Sequence, residues 1–198
     1  MSSVIAVSGL PGAGKTTTIN LLESKLKALG FPHSIFRAGP IFRGEYKRYV
    51  ASGGTKSFQE WYAGTSIAVN TAVDRQVVAF ARQNNCMLDA RYSVVACHKA
   101  GVPYFGIFLE APLPLRAARG IKSDTQKSLA NFQVELEARR LDEVRICTAI
   151  HNASHLEGAL YGLHVSSELL LPDEVVTNIF GHVPFMDFVR NTYVRRVA

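Results

Sequence analysis

Residues 9–16 constrain this chain more than any other segment, because they read Gly-Leu-Pro-Gly-Ala-Gly-Lys-Thr and match the pattern G-x-x-x-x-G-K-[ST]. A loop of this kind wraps phosphate groups with backbone N–H groups, and its glycines allow the close approach. The apolar, β-branched run at 3–7 predicts a buried strand before the loop. After the loop, four apolar residues recur at the spacing of one helix face: Ile19, Leu22, Leu26 and Leu29. The strand, loop and helix together predict a nucleoside triphosphate site at a helix N-terminus.

The loop also supplies side chains for chemistry. Lys15 can place a positive charge on the β- and γ-phosphates, and the hydroxyl of Thr16 suits a Mg²⁺ ion. A chance glycine turn, or a degenerate nucleotide fold, is the alternative to this interpretation. The residues predicted to bind the nucleotide are Gly9, Pro11, Gly12, Ala13, Gly14, Lys15, Thr16 and Thr17.

The composition indicates one globular domain, with 198 residues of which 47% are hydrophobic and 19% charged. We find no apolar stretch long enough to cross a bilayer and no secretory signal, so we expect no membrane contact and a cytoplasmic location. The three cysteines lack C-x-x-C spacing, which argues against disulfides and zinc and fits a reducing compartment. The net charge of +6 and the pI near 9.4 favour anionic partners, either a mononucleotide or a polynucleotide.

Apolar runs and helical patterns alternate along the chain, which predicts an α/β fold with a mainly parallel sheet. Further strands are predicted at 33–37, 86–89, 104–109 and 161–166. Helices are predicted at 41–50, from the capping box of Ser57 and Glu60 onward, at about 69–83, across 115–145 and from Pro172 onward. The tail from Gly181 carries three arginines and three aromatic residues: Arg190, Arg195, Arg196, Phe185, Phe188 and Tyr193.

Polar side chains follow the predicted strands at the ends where open α/β sheets bind ligands. Asp89 ends a strand beside the phosphate loop, where it can hold Mg²⁺ through water or orient an attacking hydroxyl; alternatively, it caps the next turn. Arg43 and Arg91 can hold an acceptor phosphate, because a guanidinium donates two hydrogen bonds at once; alternatively, they are surface arginines. Asp74, on the long predicted helix, either reads a base or ribose or pairs with its neighbours.

The polar segment 115–145 carries arginines near both of its ends. Phosphoryl transfer spreads negative charge over the transferred group, and arginines on a closing flap can neutralise that charge while closure excludes water. A solvated, charge-rich pair of helices is the alternative. The arginines to which we assign this role are Arg116, Arg119, Arg139 and Arg140.

Together these motifs resemble the nucleoside monophosphate kinases of the P-loop superfamily, in particular the archaeal-type cytidylate kinase-like group. The resemblance extends from about residue 4 to residue 179. Besides the loop, it is carried by Arg37-Ala-Gly-Pro-Ile-Phe-Arg43, by Leu88-Asp-Ala-Arg91 and by arginine pairs at the two borders of a lid.

The resemblance implies a three-layer P-loop kinase fold with a mainly parallel five-stranded sheet, NMP-binding helices at about 38–83 and a helical lid at about 115–145. It implies ATP at the loop and Mg²⁺ at Thr16 and Asp89. The expected catalytic residues are Lys15, Asp89, Arg116, Arg119 and Arg139, and the expected substrate-binding residues are Arg43, Asp74, Arg91 and Arg140.

We therefore expect a Mg²⁺- and ATP-dependent enzyme that transfers the γ-phosphoryl group to a nucleoside monophosphate, with cytidylate as the first candidate and a deoxynucleotide as the second. The chain departs from the group at Pro40, where an aspartate is usual, and in the middle of the lid at 121–127, so the acceptor stays open. One alternative is a kinase of a DNA or RNA hydroxyl, held by the basic tail at about 181–198. Another is a nucleotide-binding assembly factor with reduced catalysis. A monomer and a homodimer both fit the sequence.

Overall fold

The computed structural model describes residues 2–64, 67–121 and 128–197. The described residues form five strands: β1 (Val4–Gly9), β2 (Ser34–Arg37), β3 (Cys86–Asp89), β4 (Phe105–Glu110) and β5 (Leu163–Ser166). They make one sheet in the order β2-β3-β1-β4-β5, and every pair of neighbours is parallel. Each strand lies on a run predicted from the sequence, so the predicted parallel sheet is confirmed.

The helices connect and cover these strands. The predicted helix after β2 begins at 38 rather than at 41, and the second helix of the polar segment runs to 151, past the predicted boundary at 145. Residues 122–127, the middle of the predicted lid, lie outside the described residues. The helices are α1 (Lys15–Ala28), α2 (Ala38–Ala51), α3 (Phe58–Ala63), α4 (Ile67–Gln83), α5 (Ser93–Lys99), α6 (Leu113–Ile121), α7 (Leu129–His151), α8 (Pro172–Gly181) and α9 (Val183–Val197), with a short 3-10 helix at Gly158–Leu160.

The central strand, β1, is buried along its whole length. Its side chains alternate between the two faces of the sheet, as the pleat of a strand requires. Val4 and Ala6 join an apolar core with residues of α4, α5 and α7, whereas Ile5 and Val7 join a second core with residues of α1, α8 and α9. Helices therefore cover both faces, as a buried parallel sheet needs, and the three-layer arrangement is confirmed.

Helix α5 has no counterpart among the predicted elements. Five of its seven residues are buried, so its sequence lacks the polar face that marks an amphipathic helix. The hydroxyl of Ser93 donates to the carbonyl oxygen of Ala90 at 2.8 Å and secures the turn that leads into the helix. Cys97 on this helix lies buried, as do Cys86 and Cys147, and burial raises the pKa of each of these free thiols to about 12.

The basic tail is a helix packed on the fold, and its aromatic residues face inward. Phe185 is fully buried, with its ring centroid 5.4 Å from that of Phe105. Phe188 contacts the same ring at 5.8 Å. The hydroxyl of Tyr193 donates to the carbonyl oxygen of Pro32 at 3.2 Å. These rings hold α9 against the sheet layer, so the segment described from the sequence as a basic tail is a helix packed on the fold.

Among the described residues, no helix combines the length and the apolar character needed to cross a membrane.

Candidate phosphoryl-transfer site

One cleft of about 810 Å³ opens at the carboxyl ends of the central strands. In the sheet, β2 and β3 lie on one side of β1, whereas β4 and β5 lie on the other side. The carboxyl end of β1 is therefore at a topological switch point, where open α/β sheets bind ligands. The wall of the cleft takes residues from the loop after β1, the start of α2, the middle of α4, the end of β3, helices α6 and α7, and the turn before α8.

The phosphate loop has a backbone conformation that favours glycine at three positions. Gly9, Gly12 and Gly14 all have positive φ angles, of 145°, 82° and 96°. A Cβ on Gly9 would lie 2.1 Å from the carbonyl oxygen of Leu109, so a side chain has no room there. Gly9 itself does not line the cleft, whereas the other predicted nucleotide-binding residues do: Pro11, Gly12, Ala13, Gly14, Lys15, Thr16 and Thr17.

Lys15 folds back over the loop that precedes it. Its ammonium group donates to the carbonyl oxygens of Gly9 at 2.8 Å and Leu10 at 3.0 Å. Desolvation of the ammonium group lowers the pKa of Lys15 to about 8, and the negative charge of Glu143 opposes that shift. The arrangement leaves the charge beside the loop amides, where a bound polyphosphate can take over its hydrogen bonds.

Asp89, which is predicted to help to hold a metal ion, lies beside Thr16. The Thr16 hydroxyl donates to Asp89 Oδ2 at 3.2 Å. The same oxygen accepts a hydrogen bond from Arg37 Nη1 at 3.3 Å. Arg37 and Asp89 are register partners at the carboxyl ends of β2 and β3, which explains the ion pair. Arg37 had no predicted role, although its place at a strand end was a signal for one.

Two of the predicted arginines share a buried carboxylate that the sequence analysis missed. Glu143 on α7 is 2% exposed, and its Oε1 accepts a hydrogen bond from Arg139 Nε at 2.9 Å and forms an ion pair with Arg91, whose Nε lies 3.0 Å away. The Arg91 guanidinium also lies over the ring of Tyr62, 4.2 Å from its centroid. Both arginines line the cleft. The i, i+4 spacing of Arg139 and Glu143 was the signal that could have identified the pair.

Arg43 points into the cleft from α2. Its guanidinium lies over Gly39, where an added Cβ would be 3.2 Å from Nη1. Within the described part of the chain, the structure gives this guanidinium no hydrogen-bond or ion-pair partner. Arg43, Arg91 and Arg139 therefore form a group of cations along the cleft, and Arg43 is the one whose donors are all available to a ligand.

The two arginines of α6 contact the backbone around the loop. Arg116 is 3% exposed and donates to the carbonyl oxygens of Pro11 at 3.0 Å and Ala111 at 2.9 Å. Arg119 lines the cleft and donates to the hydroxyl of Ser167 at 2.9 Å and to its carbonyl oxygen at 2.7 Å. In this arrangement Arg116 supports the loop from behind, while Arg119 borders the donor side of the cleft.

Arg140 stays outside the wall of the cleft, since its Nε donates to Glu137 on the same helix at 2.8 Å.

The far end of the cleft is an aromatic pocket with a polar floor. Phe42, Phe58 and Tyr62 form its sides, and Asn70 and Asp74 of α4 lie at its base. Asn70 is 1% exposed, and its amide nitrogen has no hydrogen-bond partner among the described residues. Its amide oxygen accepts from the Tyr62 hydroxyl at 3.4 Å.

Asp74 is paired within this floor. Its Oδ2 lies 2.9 Å from His151 Nε2 at the end of α7. Burial raises the pKa of Asp74, and the hydrogen bond from His151 opposes that shift. Asn70 and His151 had no predicted role. Asn70 lies one helical turn before Asp74, so its spacing was a usable signal, whereas the contact of His151 depends on how α7 docks.

Two curated proteins resemble this chain along most of its length. The cytidylate kinase of Methanococcus maripaludis (strain C5) is 29% identical over 170 residues, which are 83% of this chain and 88% of that protein. The cytidylate kinase of Methanobrevibacter smithii is 28% identical over 173 residues, which are 87% of this chain and 93% of that protein. No protein-family model matches the chain.

Solved structures share the fold at low sequence identity. A gluconokinase from Sinorhizobium meliloti 1021 superposes with a TM-score of 0.55 and 14% identity, covering 98% of this chain and 97% of that one. A shikimate kinase from Acinetobacter baumannii has a TM-score of 0.54 and 14% identity, with coverages of 91% and 92%. The chain has the fold of these kinases, and the sequence relatives that it resembles are cytidylate kinases, so the resemblance predicted from its motifs is confirmed.

Proposed function

We propose that this P-loop kinase transfers the γ-phosphoryl group of ATP to a nucleoside monophosphate, with cytidylate as the preferred acceptor. The observation that carries the proposal is the continuity of the cleft. One cavity joins the phosphate loop to the pocket floored by Asn70 and Asp74, and Arg43, Arg91 and Arg139 line the passage between them. A donor triphosphate and an acceptor phosphate can therefore meet without crossing a protein wall. The names of the sequence relatives support the acceptor class.

The donor side of the cleft suits a nucleotide whose base lies near β5. Leu170, Leu171 and Val175 provide apolar wall, and Arg119 faces them from α6. An adenine ring placed there can pack on side chains while its phosphates reach the loop amides. Lys15 is then in reach of the β- and γ-phosphates, as the motif predicts.

The oxygen atoms beside the loop fit a Mg²⁺ ion. Thr16 Oγ1 and Asp89 Oδ2 are hard donors 3.2 Å apart, and Mg²⁺ is usually held by one or two protein oxygens together with substrate phosphates and water. When bound, the ion offsets the negative charge of the β- and γ-phosphates during transfer. The protein's own part is to hold the acceptor phosphate with Arg43 and Arg91 and to keep water away.

The pocket floor favours an amino base. The amide nitrogen of Asn70 is a free donor, and the Asp74 carboxylate is an acceptor one helical turn away. Cytosine presents the complementary pair, an acceptor at N3 and a donor at its exocyclic amino group. Uracil lacks this pair, so its binding would leave the buried amide of Asn70 and the carboxylate of Asp74 without matching groups and would lower its affinity. Adenine carries the same acceptor and donor on a larger ring system, so the pocket has to exclude adenine by size.

The test is ADP release from ATP in the presence of single acceptors. CMP, dCMP, UMP, AMP and GMP form one set, and single-stranded and duplex DNA with free hydroxyl ends form the other. We expect the highest kcat/KM with CMP, and Lys15→Ala is the blank because it lacks the loop cation. ADP release that stays at the blank level with every mononucleotide would overturn the proposal. Turnover restricted to the DNA set would move the acceptor to a nucleic-acid hydroxyl.

A further inference from the structure

We infer that Glu143 is a positioning residue, which holds Arg91 and Arg139 in the orientation that binds phosphate in the cleft. The inference rests on the proposed function, because it assigns the two arginines to the phosphates of the reaction. Glu143 itself does not line the cleft. It acts through the two guanidinium groups that do.

The geometry of the cluster leaves the useful donors free. Both arginines bind the same carboxylate oxygen, Glu143 Oε1, and both do so through Nε, at 3.0 and 2.9 Å. The terminal nitrogens of each guanidinium are therefore not taken up by this carboxylate. Arg91 Nη1 is buried and has no hydrogen-bond partner among the described residues. Such a donor is costly to leave unpaired, and a phosphate oxygen is the partner that suits it.

The carboxylate also joins two separate elements. Arg91 follows β3, whereas Arg139 and Glu143 lie one turn apart on α7, the second helix of the lid. Two like charges that approach one oxygen repel each other unless a negative charge stands between them. Glu143 supplies that charge from a buried position, so its removal leaves two partly buried cations without the carboxylate that pairs with both of them.

Glu143 is ionised at neutral pH. Burial by itself raises the pKa of its carboxyl, but Arg91, Arg139 and Lys15 outweigh burial, and the pKa lies below its usual value.

The experiment replaces Glu143 by glutamine, which keeps the size and one hydrogen-bond acceptor but removes the charge. The matched control is Asp142→Asn on the same helix, since Asp142 is partly exposed and pairs only with Arg145 in the described structure. We expect E143Q to reduce kcat/KM for the acceptor about 10- to 100-fold, the range of a charged hydrogen bond. D142N should stay within about 2-fold of wild type, as for a surface ion pair.

A second readout separates positioning from a general structural defect. E143Q should raise KM for the acceptor more than it lowers kcat, because the misplaced arginines hold the acceptor phosphate less well, whereas D142N should leave both constants in place. Wild-type kcat/KM for the acceptor in E143Q would overturn the inference.

Binding of inorganic phosphate tests Glu143 without any assumption about the acceptor. Phosphate should raise the melting temperature of wild type more than chloride does at equal ionic strength, and E143Q should lose at least half of that difference. If E143Q does not fold, Glu143→Asp keeps the charge on a shorter side chain and should show an intermediate loss. A wild type that does not distinguish phosphate from chloride, or a variant that keeps the full difference, contradicts the inference. A failed acceptor screen with intact phosphate binding would count against the proposed function alone.

Discussion

At the scale of single residues, each charged side chain in the cleft either pairs with a neighbouring group or keeps hydrogen-bond donors free for a ligand. Asp89 Oδ2 is shared between the Thr16 hydroxyl and the Arg37 guanidinium. Arg37 is held in turn by Asn20, whose amide oxygen accepts from Arg37 Nη2 at 2.6 Å. A positive charge thus already stands beside the carboxylate proposed to face the metal. A Mg²⁺ ion bound at Asp89, as we propose, would compete with Arg37 for this oxygen.

Replacing Arg37 by glutamine should ease the binding of Mg²⁺. The variant frees Asp89 from its ion pair, so the Mg²⁺ concentration for half-maximal activity should fall roughly 2- to 5-fold, the range of a partly exposed pair. Arg48→Gln is the control, because Arg48 is exposed and pairs only with Glu45. The measurement is a Mg²⁺ titration of ADP release, together with Mg²⁺-dependent thermal stabilisation in the presence of ATP. A higher Mg²⁺ requirement in Arg37→Gln would show that Arg37 assists the metal site instead.

Replacing Asn70 by leucine should weaken the acceptor base site without filling it. The variant removes the free amide donor, so kcat/KM for CMP should fall about 10- to 100-fold while that for UMP changes less. Thr71→Val on the same helix is the control, since Thr71 bonds only to the carbonyl oxygen of Ile67 in the described structure and lies outside the cleft. Equal losses with CMP and UMP would contradict the role of Asn70 in selecting the base.

At the scale of elements, α9 changes the interpretation of the last part of the chain. Phe185 and Val189 of this helix are fully buried in the core that contains α1 and α8. Its sequence was read as a tail because the aromatic residues stand among arginines. The helix is held by packing on Phe105 of β4, which lies far away in sequence, and on Phe180 near the end of the preceding helix, α8. We therefore expect this helix to contribute to the stability of the fold.

Phe185→Ala should therefore destabilise the whole domain. Removal of a fully buried phenyl ring typically costs about 3–5 kcal/mol, through lost burial and the cavity that remains. Val183→Ala at the start of the same helix is the control, because Val183 is 66% exposed and surface substitutions stay near ±0.5 kcal/mol. Urea unfolding of both variants measures the difference. A loss below about 1 kcal/mol in Phe185→Ala would mean that α9 is not part of the cooperative core.

At the scale of the whole molecule, buried histidines tie stability to pH. His155 is 2% exposed, and its Nδ1 has no hydrogen-bond partner among the described residues. Burial lowers its pKa from 6.5 to about 4, and the positive charges of Lys15, Arg91 and Arg140 act in the same direction. His33, also buried, has its pKa lowered by burial. The folded state therefore keeps these rings neutral at a pH where the unfolded chain protonates them.

The free energy of unfolding should fall as pH decreases from about 6.5 towards 4. In this window the unfolded state binds more protons than the folded state, and each pKa unit corresponds to about 1.4 kcal/mol. For His155 the loss amounts to about 3 kcal/mol at the lower end, whereas above pH 6.5 its contribution is constant. Denaturation at several pH values should show a shallower slope in His155→Gln than in wild type. Equal slopes in the two proteins would contradict a buried neutral His155.

The phosphate loop, the parallel sheet and most helices could be predicted from the sequence. They depend on residues that lie close together along the chain, because glycine spacing, apolar runs and capping boxes are local patterns. Helix α5 escaped prediction because it is buried all round, and α9 because its apolar positions stand among charges. In both, tertiary packing outweighed the local pattern.

Which charged side chains of the cleft pair with each other depends on the tertiary structure. Arg37 and Asp89 are 52 residues apart and pair because β2 and β3 share a register. Asp74 and His151 are 77 residues apart and pair because α4 and α7 dock together. In the sequence, Glu143 is one of several charged residues on a polar helix. Only the folded structure places its buried carboxylate between Arg91 and Arg139. The phosphate loop can be recognised along the chain, whereas the proposed acceptor site depends on contacts that only folding creates.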